Sequence, residues 1–347
     1  VGRLLDVVLA EVAAAPMRFD AYVERCLYDP EAGFYTAGGA AGRRGDFLTS
    51  AEVGPLFGAV LARAVDAWWD EAGRPSPFVV VDAGTGSGTL VRALLHAAPA
   101  CAAAWQLVAV ERSPVLRAAH RDLVQRGVRS TPTLPGDLTG AVVIANELLD
   151  NLPFRVLERR PDGWADLAVT SHDGRLGLTH LAADHHAARV AQGLVGDVPT
   201  GTRIPLLTEA ARWVSGVVAT AAHLVVFDYG APSTAALARR PWTSWVRTYR
   251  AHQRAGSPLD DPGGADVTVE VAADQLPPGA RWSDQAAFLR SWGLDQLVAE
   301  GRRCWTERAA RPDLEALRGR SRVREAEALT DPDGLGSFLV GHWARTA

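Results

Sequence analysis

Phe78-Val79-Val80-Val81-Asp82-Ala83-Gly84-Thr85-Gly86-Ser87-Gly88 carries the architecture of this chain. A short apolar run ends in an acid and then in glycines at every second position. Such a run, closed by a turn signal, reads as a strand buried on both faces. Leu90, Leu94 and Leu95 follow at helical spacing. The order then repeats. Leu107-Val108-Ala109-Val110 ends in Glu111-Arg112-Ser113 and leads into a helix over 114–126. A weak strand is expected near 128–131, and Ala141-Val142-Val143-Ile144-Ala145 is a third clear run. A helix over 208–221 and the strand Leu224-Val225-Val226-Phe227 resume the pattern. Apolar strands alternating with helices predict an α/β fold on a parallel sheet with helices on both faces.

Before this core the chain reads as helical to about residue 75, with a glycine-rich interruption at 33–45. Arg74-Pro75-Ser76-Pro77 ends the helix over 55–69. Residues 154–200 change character: Arg160-Pro161-Asp162-Gly163 and Asp173-Gly174 punctuate short strands. We read them as antiparallel strands inserted over the carboxyl edge of the sheet. Residues 231–265 read as loop, 283–289 and 294–300 as helices, and 337–343 as a last strand. The expected division is a helical and lid segment at 1–75, a core at 76–153 and 205–347, and an insertion on the substrate side at 154–204.

The 347 residues suit about two domains. With 36 basic against 40 acidic residues the net charge is −4, which leaves no basic footprint for nucleic acid. No run of 18 apolar residues suggests a membrane span, and Arg3, Asp6 and Glu11 break any signal-peptide pattern at the start. Cys26, Cys101 and Cys304 are odd in number and far apart, without metal spacing, which fits a reducing cytoplasm. Every basic residue is arginine, so lysine Schiff-base and lysine general-base chemistry are excluded.

The glycine loop is the sharpest motif. A dinucleotide fingerprint needs G-x-G-x-x-G before a helix that receives a pyrophosphate. Here Gly84, Gly86 and Gly88 are evenly spaced, and Asp82 precedes them. An acid aimed into the site suits a cationic ligand and opposes a diphosphate. S-adenosylmethionine, with a sulfonium and an amino group, matches. Glu111, at the end of the second strand, is placed to accept both ribose hydroxyls. Asp137 is a candidate for the adenine amino group or, equally, a turn residue in Pro135-Gly136-Asp137.

The methyl acceptor is expected at the end of the third run, in Asn146-Glu147-Leu148-Leu149-Asp150-Asn151-Leu152-Pro153. A cationic acceptor needs carboxylates to hold it and to take a proton. Glu147 is the first candidate, with Asp150 either a partner or a helix cap. Asp228-Tyr229-Gly230 ends the later strand in the same way, so Asp228 is a second candidate near the acceptor. Arg247-Thr248-Tyr249-Arg250-Ala251-His252 adds basic and aromatic groups in a loop. Gly45-Asp46-Phe47-Leu48-Thr49-Ser50-Ala51-Glu52 reads as a helix cap, or as a lid over the ligand.

Together with Leu27-Tyr28-Asp29-Pro30-Glu31-Ala32-Gly33-Phe34-Tyr35 and Asp266-Val267-Thr268, these motifs resemble the MidA-like (DUF185) S-adenosylmethionine-dependent methyltransferases. That family includes a mitochondrial assembly factor that methylates an arginine in a respiratory complex I subunit. The resemblance implies a class I methyltransferase fold, Rossmann-like, with a seven-stranded sheet and inserted elements that build the acceptor site. It places Gly84, Gly86 and Glu111 on the cofactor, Thr49 and Ser50 close to it, and Asn146, Glu147 and Asp228 toward the acceptor. Departures from the family pattern are Asp82 in place of Glu, Ala51 in place of Pro, and Asn151 in place of Ala.

The expected reaction is methyl transfer from S-adenosyl-L-methionine to a protein arginine nitrogen. The expected partner is therefore a protein substrate, by resemblance a complex I subunit. A small-molecule acceptor and a non-catalytic assembly factor that keeps the cofactor are the alternatives, and a homodimer is left open. A nicotinamide oxidoreductase is disfavoured by the glycine spacing.

Overall fold

The structure is a computed structural model and describes residues 3–39, 49–250 and 253–345. The strands are β1 Phe78–Ala83, β2 Trp105–Val110, β3 Arg129–Thr131, β4 Val142–Asn146, β5 Arg155–Arg160, β6 Gly163–His172, β7 Arg175–Ala182 and β8 Arg203–Leu206. They continue as β9 His223–Asp228, β10 Val246–Arg250, β11 Asp266–Val269, β12 Arg281–Asp284 and β13 Leu339–Ala344. The main helices are α1 Arg3–Ala14, α2 Phe19–Tyr28, α3 Pro55–Glu71, α4 Thr89–Ala97, α5 His185–Val195 and α6 Thr208–Val218. After them come α7 Gln285–Ser291, α8 Leu294–Arg308 and α9 Leu314–Leu329.

Seven strands form the central sheet in the order β12-β13-β9-β4-β1-β2-β3. β13 runs antiparallel to both its neighbours, and the remaining pairs are parallel. This is the mixed seven-stranded sheet of the class I methyltransferase fold. Alternate side chains feed two cores. Val80, Ile144 and Phe227 pack under α3, α4 and α7. Val81, Val143 and Val226 face the side of α1, α2 and α6. All six are at most 2% exposed, and burying each such side chain is worth about 1.5–3 kcal/mol. The register sets Asp82 beside Ile144, and Asn146 beside Phe227. The carboxyl ends of β1, β2, β4 and β9 therefore share one rim, where Asp82, Glu111, Glu147 and Asp228 lie.

Several elements differ from the sequence reading. The helix expected over 114–126 breaks into short turns at Pro114–Arg117 and Arg121–Gln125, with a 3-10 turn at Ala118–His120 between them. At this break the His120 ring nitrogens lie 2.8 Å from the Gly86 carbonyl and 2.8 Å from Ser130 Oγ, which ties the turn to the glycine loop. The stretch read as loop at 231–265 contains β10, which pairs with β11. Residues 155–206 form a separate antiparallel sheet of β5 to β8, joined by Met17–Arg18 and carrying the unforeseen helix α5. Helix α9 was also not read; it packs on α8 where Gly301 and Gly319 let the backbones touch. Gly45-Asp46-Phe47-Leu48 and Ala251-His252 lie outside the described residues. Among the described residues no helix is long and apolar enough to cross a membrane.

Candidate active site

The turn after β1 is built by left-handed glycines, with φ of 73° at Gly84, 56° at Gly86 and 92° at Gly88. A Cβ at Gly84 would stand 2.9 Å from Leu148 Cδ1, so glycine there lets the loop press against the acceptor strand end. A Cβ at Gly86 would meet nothing within 4 Å. That open space belongs to a cavity of about 480 Å3 lined by Asp82, Gly84, Gly86, Glu111, Asn146 and Glu147, among others. Gly88 does not line it: a Cβ there would strike Leu123, so its role is packing.

Glu111 is tied to this loop. Its Oε2 accepts from the Gly86 N–H at 3.0 Å and its Oε1 from the Ser113 N–H at 2.7 Å. Each oxygen keeps a further lone pair for a ligand. Asp82 accepts from the Thr85 hydroxyl and is 4% exposed. Desolvation pushes its carboxyl up to about 7. An incoming cation would offset that cost.

On the opposite wall Glu147 holds a left-handed backbone, φ 52°, which is rare for a side chain of its size. The Ser50 N–H and Asn146 Nδ2 donate to its Oε1 at 3.0 and 3.2 Å. Desolvation nevertheless pushes this carboxyl up to about 7. Behind it lie Asp150, Asp228 and Asp266, each at most 4% exposed. Burial raises all three, and Asp150 and Asp228 further repel each other and Glu147. Among the described residues, none of these four carboxylates has an arginine or histidine ion-pair partner. Among the described residues, Asn146 Oδ1, Asp150 Oδ1 and Asp228 Oδ1 are buried without any hydrogen-bond partner. Unpaired buried charge is costly, so this wall favours either protons or a cationic visitor. Among the described residues no group of three or more metal-type ligands could hold a metal ion.

Four expectations need correction. Asp137 is exposed and absent from the cavity; its Oδ1 accepts from the Thr139 N–H at 2.8 Å and closes a surface turn. Asp228 does not reach the cavity either. Its Oδ2 accepts from the Leu149 and Asp150 N–H groups and holds the turn Leu149–Asn151 from behind. Thr49 lines the cavity, whereas the Ser50 side chain points away and donates to Gln285 Oε1 at 2.8 Å. Thr49 stands at the N-cap of a short helix, Ser50–Val53, as the sequence reading has it, but its side chain makes no cap hydrogen bond and Glu52 accepts from the Thr89 hydroxyl. Sequence reasoning missed Tyr28, Tyr35, Asn151, Leu134 and Trp213 as lining residues. Leu134 and Trp213 come from stretches that no local pattern marks, whereas Tyr28, Tyr35 and Asn151 lie in quoted motifs but were given no role of their own.

Comparison with known proteins agrees with this geometry. A family model described as S-adenosyl-L-methionine-dependent methyltransferase matches residues 60–288. A crystal structure from Burkholderia thailandensis, bound to S-adenosyl-homocysteine, is 28% identical with a TM-score of 0.82, covering 99% of this chain and 92% of that one. The Drosophila melanogaster mitochondrial protein arginine methyltransferase NDUFAF7 homolog is 26% identical over 78% of this chain and 68% of its own length. The Homo sapiens protein arginine methyltransferase NDUFAF7 is 23% identical over 82% and 71% respectively. The residues present fit the donor: Gly86 leaves open space where a side chain would project, and Glu111 and Asp82 offer free acceptor capacity. The cofactor is S-adenosyl-L-methionine, and the chain belongs to this family of S-adenosyl-L-methionine-dependent methyltransferases.

Proposed function

We propose that this methyltransferase acts on the guanidinium nitrogens of arginine in a protein substrate. The observation that carries the reading is the acceptor wall: Glu147 with Asp150, Asp228 and Asp266 behind it, and no ion-pair partner among the described residues. A planar cation with several N–H donors is the ligand such a wall compensates best. The relatives named protein arginine methyltransferase support it.

In this reading Gly84, Gly86, Glu111, Asp82 and Thr49 hold the donor. When bound, S-adenosyl-L-methionine supplies an electrophilic methyl group on a positively charged sulfur. Glu147 accepts an N–H of the guanidinium, aligns the attacking nitrogen and takes the proton that nitrogen gives up as its new N–C bond forms. A carboxyl held near 7 is a usable base at neutral pH. Asn146 steadies Glu147, and Asp228 fixes the turn bearing Asp150 and Asn151. The closely packed protein around this wall keeps water from competing.

The test is incubation of the protein with methyl-labelled donor and a cell extract, followed by hydrolysis and amino-acid analysis. Label is expected in methylarginine. Label confined to small molecules would overturn the acceptor assignment. Glu147→Gln should lower turnover by about a hundredfold or more, within the range for a lost general base, and leave S-adenosyl-homocysteine affinity within about threefold.

A further inference from the structure

We infer that Tyr35, Asn151 and Asp266 form a second wall of the acceptor site, with Tyr35 and Asn151 receiving guanidinium N–H groups that Glu147 does not reach. This rests on the guanidinium reading above and extends it to Tyr35 and Asn151, which that reading leaves without a role. A guanidinium carries five N–H donors in a plane, and one carboxylate takes two of them. Glu147 Oε1 already accepts two hydrogen bonds from the protein. The remaining donors need oxygens elsewhere in the same cavity.

Tyr35 and Asn151 line that cavity with Glu147. The Tyr35 hydroxyl donates to Asn151 Oδ1 at 2.9 Å and stands 3.4 Å from Asp266 Oδ1. Asn151 Nδ2 donates to Asp266 Oδ1 at 3.1 Å. Asp266, 1% exposed and outside the cavity, therefore fixes which way the amide points. With Nδ2 turned to Asp266, Asn151 presents its oxygen on the Tyr35 side. Both oxygens keep lone pairs free. Asp266 is thus a positioning residue, one hydrogen bond behind Asn151.

The wall is also held rigidly against the donor side. Tyr28 stacks on Tyr35 with centroids 5.6 Å apart and planes 22° apart. Ser113 Oγ donates to the Tyr35 carbonyl at 2.7 Å, and the Ser113 N–H donates to Glu111. Tyr35 is thereby coupled to the ribose-side acid through one residue. Tyr35 and Asn151 thus line the cavity that Glu147 shares, while Asp266 stands behind them.

The experiment titrates S-adenosyl-homocysteine-loaded protein with methylguanidinium, by calorimetry or NMR, in wild type, Glu147→Gln, Tyr35→Phe and Asp266→Asn. Tyr35→Phe keeps the ring stack, and Asp266→Asn keeps the volume. Tyr35→Phe is expected to weaken methylguanidinium about tenfold, as for a lost hydrogen bond to a charged group, and Asp266→Asn to weaken it by about threefold through a less firmly oriented Asn151 amide, while S-adenosyl-homocysteine affinity stays within about twofold in both. Unchanged methylguanidinium affinity in both, with Glu147→Gln weakened, overturns this inference and leaves the guanidinium reading standing. Equal losses of both ligands assign the triad a structural role and also overturn it. No binding of methylguanidinium by wild type overturns the guanidinium reading and this inference with it.

Discussion

The two walls of the cavity are made in different ways. The donor wall is mostly backbone and local sequence: the loop from Asp82 to Gly88, clasped by Glu111 across 25 residues. The acceptor wall is side chains gathered from far apart, including Tyr35, Glu147, Asn151 and the buried Asp266. Each wall holds a left-handed residue at a strand end, Gly86 at φ 56° and Glu147 at φ 52°. Glycine adopts that geometry freely, whereas for glutamate it costs about 1–2 kcal/mol. The donor wall uses a residue with no side chain so that a ligand can approach. The acceptor wall carries this strain at the residue to which the proposed reaction assigns the proton.

The largest effect expected from this contrast is on the donor side. Gly86→Arg would project a long side chain into the open cavity while meeting no protein atom at its Cβ. The strain, about 1–2 kcal/mol, leaves the fold intact. Calorimetry should show S-adenosyl-homocysteine affinity reduced by about a hundredfold or more, with an unchanged circular dichroism spectrum. Retained affinity in a folded variant would remove the loop from the donor wall.

The same contrast explains what could be read in advance. The parallel core was legible because β1, β2, β4 and β9 are unbroken apolar runs. The glycine loop was legible because backbone recognition leaves a mark at fixed spacing. Glu111 and Glu147 were legible because each directly follows a strand. The pairing of Asn151 with Asp266 spans 115 positions and leaves no local trace. Asp228 looked like a site residue for the reason Glu147 did, a strand-end acid. Only the packing turns it behind the wall, onto the Leu149 and Asp150 amides. Helix α9 escaped because its apolar residues are few and its contact with α8 rests on paired glycines.

A pH series sharpens the donor wall further. Asp82 sits at about 7 because burial disfavours its charge. If its carboxylate faces the donor cation, S-adenosyl-L-methionine affinity is full above pH 7 and falls by up to about tenfold per unit below it. Glu147 titrates near 7 in the same cavity, so Asp82→Asn assigns the slope. In that variant the profile should flatten by calorimetry between pH 5.5 and 8. An unaltered slope would transfer the dependence to the acceptor wall.

The acceptor wall should show a stability cost of buried charge, as Asp82 does on the donor side. Glu147 titrates near 4.5 when unfolded and near 7 when folded, so the fold prefers the neutral form. Its contribution is intact below about pH 4.5 and is lost as pH rises through 7. Glu147→Gln keeps an oxygen for the Ser50 and Asn146 donors and removes the charge. Urea unfolding should find it more stable than wild type at pH 8, by on the order of 2–3 kcal/mol, and indistinguishable at pH 4. An equal difference at both pH values would mean that buried charge is not the cause.

The smallest effect is expected at Asp137, which the sequence left open between the adenine and a turn and the structure places in a solvent-exposed turn. Its carboxylate closes a turn through the Thr139 N–H, while Thr133 and Leu134 of the same β3–β4 connection line the cavity. Asp137→Ala should leave S-adenosyl-homocysteine affinity within about twofold and lower stability only slightly for the lost turn hydrogen bond. A clear loss of affinity would require this connection to swing inward when the donor binds. The donor wall would then be assembled by its ligand from distant side chains, as the acceptor wall is from its own, and the contrast between a preformed backbone cradle and a gathered one would fail.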